Sequence, residues 1–335
     1  MLVTLVVVLV ASELAIATQS VAHLFDYDSF LLAGLGAISL NLALGVGGQV
    51  SIANPLLLAT GAFSAVACLR AGLPFPSDLV VASLASALMG VLIGIPAIRL
   101  RGLYLALASL AGLYIVVYFA EIYQSHAVGD TGFNLPLLFG SYGLKKMHVY
   151  WTWLLAVVLC VVVIGAEMLS RGRSGRAWRM IRDHEVVAPA LGVAVTRYKL
   201  ILFGITSAVI GLQGALTAHL VGSVSSDTYT LDVGISYVAM IFVGGLDSVV
   251  GSLIGASIIT WLPLVTPSIV SNVLNSRTAS TEGAQLAEIC YGALIIVFVT
   301  LSPRGIVGWF GQLRRLLRNR QLAGEPGPAM AAQGS

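Results

Sequence analysis

Residues 171–199 read RGRSGRAWRMIRDHEVVAPALGVAVTRYK, the one long polar passage between otherwise apolar segments. It carries seven basic residues (Arg171, Arg173, Arg176, Arg179, Arg182, Arg197, Lys199) against two acids, Asp183 and Glu185. Ala177 to His184 contains helix formers and neither Gly nor Pro, and Asp183 to Leu191 reads as a second short helix with Pro189 near its first turn. Gly192 then falls where a left-handed residue ends a helix. A basic loop holding amphipathic helices belongs on the cytoplasmic side of a membrane. The apolar segments on either side of it therefore cross the bilayer.

Composition agrees. Of 335 residues 58% are hydrophobic and 10% charged, with a mean hydropathy of +0.94, whereas soluble domains hold roughly 25% charged residues. This excludes a nucleic-acid-binding role, and the net charge of +3 needs no anionic partner beyond positive-inside loops. The 36 glycines suit membrane helices that pack closely. Cys68, Cys160 and Cys290 lie in apolar segments without metal-ligand spacing and read as inert. The N-terminal segment has no basic leader or small-residue cleavage site, so it reads as a retained helix.

Segments long enough, or nearly so, to span roughly 30 Å of hydrocarbon are Leu2–Thr18, Phe30–Gly47, Pro55–Arg70, Leu79–Ile98, Leu103–Tyr123, Val149–Leu169, Tyr198–Val221, Ile235–Val265 and Leu286–Leu301. Ile235–Val265 is too long for one span. It is expected to break at Gly244-Gly245-Leu246-Asp247-Ser248 and again at Gly251, giving two crossings or re-entrant halves. The fold expected is an all-α integral membrane protein of about ten passes, with both termini inside. Ten passes place Arg99, Arg101, the basic loop and the arginines of the tail (Arg304, Arg314, Arg315, Arg318, Arg320) on one side. Only Arg70, Lys145, Lys146 and Arg277 are left outside. Residues 1–303 form one transmembrane domain, and 304–335 a tail that is basic and then disordered. Asp247, beside the break, is expected to cap the helix that follows.

The chain has no G-x-x-x-x-G-K-[ST], H-E-x-x-H or G-x-S-x-G and no paired intramembrane carboxylates. Its five histidines (His23, His126, His148, His184, His219) are scattered near helix ends and suggest no metal site.

Four stretches resemble the permeases of branched-chain amino acid ABC importers, the M-type subunit in particular. They are LNLALGVGGQVSIANPLLLATGAFSAV at 40–66, AIRLRGLYLALASLA at 97–111, GRAWRMIRDHEVVAPALGVAVTRYKLILFGITSAVIGLQGAL at 175–216 and SYVAMIFVGGLDSVVGSLIGA at 236–256. The resemblance implies the ABC-importer permease fold. It also implies that this chain is no enzyme and holds no cofactor, with ATP and Mg on partner ATPase subunits. The implied partners are two cytoplasmic ATPases, a second (H-type) permease, an extracytoplasmic solute-binding protein and membrane lipids. The implied location is a bacterial plasma (inner) membrane. The implied function is uptake of branched-chain or similar hydrophobic amino acids. Relatives carry urea, short amides or other small solutes, and these stay open as alternatives. A stand-alone secondary transporter would need a buried coupling group, for which Glu13 is the one candidate.

In such permeases a short helix of a cytoplasmic loop docks on the ATPase. Here that maps onto residues 171–199, with Arg176, Arg179, Arg182, Glu185, Ala188 and Gly192 as coupling residues and Trp178, Met180 and Ile181 as the apolar docking face. Asn41, Gln49, Ser51 and Asn54 lie in or beside apolar spans, where unpaired polar groups are costly. They read either as lining of a translocation path or as polar glue between helices. Thr131 and Gly132, in GDTGFN at 129–134, read as an extracellular turn near the point of solute delivery.

Overall fold

The computed structural model describes residues 21–49, 51–98, 103–136, 138 and 144–274, with isolated positions at 289, 292, 293 and 296. Nine α-helices are present among them: α1 Val21–Asn41, α2 Asn54–Arg70, α3 Ser77–Ala97, α4 Leu103–Ala127, α5 Leu144–Arg171, α6 Arg173–Asp183, α7 Val195–Val221, α8 Leu231–Gly244 and α9 Val249–Leu274. Five (α1, α3, α4, α5 and α7) carry spans long and apolar enough to cross a membrane, while α2 and α9 hold shorter apolar stretches. Apart from α6, the helices overlap the apolar segments expected between Phe30 and Val265, although α1 begins at Val21 and α9 runs on to Leu274. The other two passes of the expected ten, Leu2–Thr18 and Leu286–Leu301, lie wholly or almost wholly outside the described residues, as does the tail.

The central element is α1. Its span is 89% buried, against 28% for α3 and for α4. Leu31, Leu35, Ala37 and Ile38 pack inward, and α1 touches α5, α7, α8 and α9. A second seam joins α2, α3 and α7 through small residues, which let backbones approach closely. A Cβ at Gly61 would collide with the backbone of Gly211, and one at Gly90 with Ser207.

The helix break after Gly244 is where the residues placed it. Gly245 and Asp247 take positive φ (118° and 64°), which separates α8 from α9. The second break expected at Gly251 is absent. Gly251 is helical, and a Cβ there would lie 2.6 Å from the carbonyl oxygen of Gly244, so this glycine serves close packing rather than a turn. The ends of α1, α5 and α8 lie beside α6. At the opposite end Phe133–Asn134 (β1) pairs antiparallel with Ser223–Val224 (β2).

Candidate functional site

The amphipathic helix of the basic loop, α6, is seated on the bundle by its apolar side. Trp178 and Ile181 are 1% and 3% exposed. Trp178 packs with Leu42, Val46 and Leu202, and its Nε1–H donates to the carbonyl of Tyr198 at 2.9 Å. Two of the three residues assigned from sequence to the docking face, Trp178 and Ile181, therefore close onto this chain's own helices, because burying a tryptophan there gains more than leaving it in water, while Met180 stays half-buried. The apolar groups left on the outside of the loop are Val186, Val187 and Leu191, on and beside the 3-10 turn Ala188–Leu191. Sequence reasoning missed them, although three aliphatic residues in a polar loop are the signal. Gly192 has φ +78°, the left-handed cap expected of it, and Ala188 is fully buried.

The arginines converge under this loop. Arg179 donates from Nη1 to the carbonyl of Ser170 at 2.8 Å, and from Nη2 and Nε to the Asp247 carboxylate at 3.1 and 3.4 Å. Arg182 donates to the carbonyl of Gly45 and to Asp183 at 2.9 Å, and its Nη1 lies 3.9 Å from Asp247. Gly48 (φ +65°) lies against the Arg182 stem, with no room for a side chain. Arg176 is exposed and, among the described residues, its side chain reaches the carbonyl of Arg171 at 3.4 Å. Glu185 accepts from the buried Lys199 at 2.8 Å. One carboxylate facing two guanidinium groups thus links α6 to the ends of α1 and α5 and to the α8–α9 break. The groups are about one-third exposed, so each pair is worth about 1 kcal/mol or less.

Asn41 holds the other side of the break. Its Oδ1 accepts from the Asp247 N–H at 3.0 Å, and its Nδ2 donates to the Ser248 carbonyl at 2.9 Å and to Ser252 Oγ at 2.6 Å. The carboxamide takes the place of the peptide groups that a continuous helix would have offered. Ser248, not Asp247, caps α9, its Oγ accepting from the Gly251 N–H at 3.1 Å. The left-handed backbone turns the Asp247 side chain away toward the arginines. Just before this point α1 ends in a π-turn, Leu42–Val46, which leaves the Gly45 carbonyl free for Arg182.

The remaining residues singled out from sequence lie elsewhere. Gln49, Ser51 and Asn54 are buried near the start of α2. Ser51 Oγ accepts from the Ala53 N–H at 3.2 Å. Gln49 Oε1 and both amide atoms of Asn54 have no partner among the described residues. Ser51 and Asn54 line a cavity of about 20 Å³ with Ser207, room for one water at most. Thr131 and Gly132 sit at the opposite end, where Thr131 Oγ1 donates to Val128 at 3.5 Å. A Cβ on Gly132 would come 2.8 Å from the carbonyl of Val224 on β2. Beside them Arg70 lies over the rings of Tyr123 and Phe133. Burial pushes the Tyr229 hydroxyl there well above the ordinary phenol range, so it stays a neutral donor.

Two buried Asp–His pairs were not legible. Asp28 accepts from Thr152 at 2.5 Å and lies 3.1 Å from His148 Nδ1, and Asp78 meets His219. Their partners are 120 and 141 residues apart. Among the described residues no three His, Cys, Asp or Glu side chains group as a metal site.

A family model described as the branched-chain amino acid transport system permease component matches residues 28–299. The high-affinity branched-chain amino acid transport system permease protein LivM of Salmonella typhimurium (strain LT2) is 28% identical, over 91% of this chain and 74% of that protein. LivM of Escherichia coli K12 is also 28% identical, over 82% of this chain and 69% of its own length. The autoinducer 2 import system permease protein LsrC of Enterobacter sp. (strain 638) is 31% identical over 32% of this chain and 33% of that protein. Among solved structures, PsaBC from Streptococcus pneumoniae in complex with Fab covers 93% of this chain and 99% of that chain, at 12% identity and a TM-score of 0.46. With a match that leaves out only the two ends of the chain, this protein belongs to the branched-chain amino acid transport system permease family.

Proposed function

We propose that this chain is a membrane-spanning permease subunit of an ATP-driven importer for branched-chain or similar hydrophobic amino acids, set in a bacterial inner membrane. The family match over residues 28–299 is the observation that carries the reading. The chain would work with two cytoplasmic ATPases, a second permease and a solute-binding protein outside, with ATP and Mg held by the ATPases. The basic loop would lie on the cytoplasmic side. Val186, Val187 and Leu191 would offer the ATPase an apolar contact, framed by Arg176, Glu185, Ala188 and Gly192. Arg179 and Arg182 would carry movement of that contact through Asp247 to the ends of α1 and α8. Asn41 would keep the break intact while this happens. Gln49, Ser51 and Asn54 near the inner end, and Thr131 and Gly132 near the outer, would border the solute's route.

The test is affinity purification in mild detergent with mass spectrometry, followed by reconstitution. A second permease and two ATPases should be recovered in comparable amounts, and the assembly should take up leucine, isoleucine or valine only with ATP. Gly192→Val is the informative variant. Nothing lies within 4 Å of the missing Cβ, so the change acts through the left-handed backbone alone, about 1–2 kcal/mol of local strain. It should abolish ATP-dependent uptake while the protein stays folded in the membrane. Uptake by the chain alone without ATP would overturn the proposal.

A further inference from the structure

The hydroxyls buried between the central helices are of two kinds. Ser39 Oγ donates to the Thr206 carbonyl at 2.7 Å, Ser86 Oγ to the Leu57 carbonyl at 3.0 Å and Thr206 Oγ1 to the Leu202 carbonyl at 2.9 Å. A hydroxyl on a membrane helix turns to a carbonyl in this way because lipid offers it nothing. Ser207 departs from the pattern. It is fully buried on α7, yet its Oγ has no partner among the described residues. The carboxamide of Asn54, 2% exposed at the start of α2, stands in the same position at both its oxygen and its nitrogen.

These two residues share one space. Both line the cavity of about 20 Å³ where α1, α2, α3 and α7 meet. Ser207 stands about 18 Å along α7 from its first residue, at 1.5 Å per residue, and so lies well inside the Val195–Val221 span. Gly90, also on the cavity wall, belongs to the Ser77–Pro96 span. Buried polar atoms without a hydrogen bond are costly and few in native structures, and here three of them come from two neighbouring helices. The volume suits one water, which needs about 10–15 Å³ and two to four polar partners. It cannot admit an amino acid. Among the described residues no charged side chain lines the cavity, so an ion there would go uncompensated.

We infer that this cavity is a binding site for a single water, which joins Asn54 of α2 to Ser207 of α7. The water accepts from the Asn54 carboxamide nitrogen and donates to Ser207 Oγ, or donates to the carboxamide oxygen and accepts from Ser207. Leu57, Ile93, Phe203 and Ile210 supply apolar walls around it. The seam between α2 and α7, closed by Gly61 against the Gly211 backbone, is thus bridged through water toward the Asn54 end. Sequence left Asn54 between path lining and polar glue, and this geometry makes it glue that acts through water. The inference does not depend on the importer reading.

The test is X-ray footprinting of the wild-type protein in detergent, read by mass spectrometry. Irradiation splits water into hydroxyl radicals, which oxidise the side chains beside the water that produced them. Phe203 and Leu57 line the cavity, and they should be oxidised severalfold faster than Phe30 and Leu35, buried residues of the same types on α1. A radical scavenger confined to bulk solvent should slow oxidation of the exposed Leu191 and leave Phe203 and Leu57 unchanged. Equal rates at the cavity and control residues overturn the inference. So does quenching of Phe203 by the scavenger, which would make its radicals come from bulk solvent. In Asn54→Leu, which removes the carboxamide, Phe203 and Leu57 should fall to the rates of Phe30 and Leu35; unaltered oxidation in that variant also overturns the assignment. The wild-type comparison decides the matter even if the variant does not fold.

Discussion

Replacing Trp178 by Ala should release α6 from the bundle, and the size of the effect separates two ways of holding that helix. Trp178 is 1% exposed against Leu42, Val46 and Leu202, with its indole N–H on the Tyr198 carbonyl. Truncating such a side chain costs about 3–5 kcal/mol. If that energy holds α6 down, its local opening becomes about two to three and a half orders of magnitude more frequent, at 1.4 kcal/mol per decade. Hydrogen exchange read by mass spectrometry on the amides of residues 173–183 should accelerate by that factor, with α2, α3 and α7 unchanged. The charged contacts give the contrast. Arg179 and Asp247 are about one-third exposed, so Arg179→Gln should cost about 1 kcal/mol or less and accelerate exchange less than tenfold. Acceleration of less than tenfold in Trp178→Ala, or a larger effect from Arg179→Gln, would refute the reasoning. The clasp around Asp247 would then be the anchor, and the tryptophan a passenger.

Asn41→Leu leaves the Asp247 N–H without an acceptor, and an orphaned buried donor costs about 1–3 kcal/mol. The thermal midpoint of the detergent-solubilised protein should fall; an unchanged midpoint would count against the bracket role. Gly61→Val drives a side chain into the Gly211 backbone across the α2–α7 seam. Overpacking of this kind costs about 1–3 kcal/mol, so the midpoint should drop, while the same change at Gly165, where nothing lies within 4 Å, should leave it nearly unaltered.

Local chemistry accounts for what the residues themselves made legible. Apolar runs marked the crossings because the bilayer demands about 20 apolar residues in a row. Polarity marked the basic loop, and Gly244 to Ser248 marked the break, because each is a property of neighbours along the chain. Gly192 followed from a single backbone requirement. Relations across the bundle were not legible in this way. Asn41 and Asp247 are 206 residues apart and Arg182 and Gly45 are 137 apart, with no local pattern linking either pair. The inward turn of Trp178 was misread for a related reason. Amphipathicity says that a helix has an apolar side, but not whether its own bundle or a partner covers that side. The membrane helices pose the same problem more severely, since a helix apolar all round carries no mark of which face is buried. Sequence alone therefore determined the apolar helices between Phe30 and Val265 and the break after Gly244. Tertiary structure alone decided which residues meet at the break, because helix packing and the pairing of buried polar groups select contacts regardless of separation along the chain.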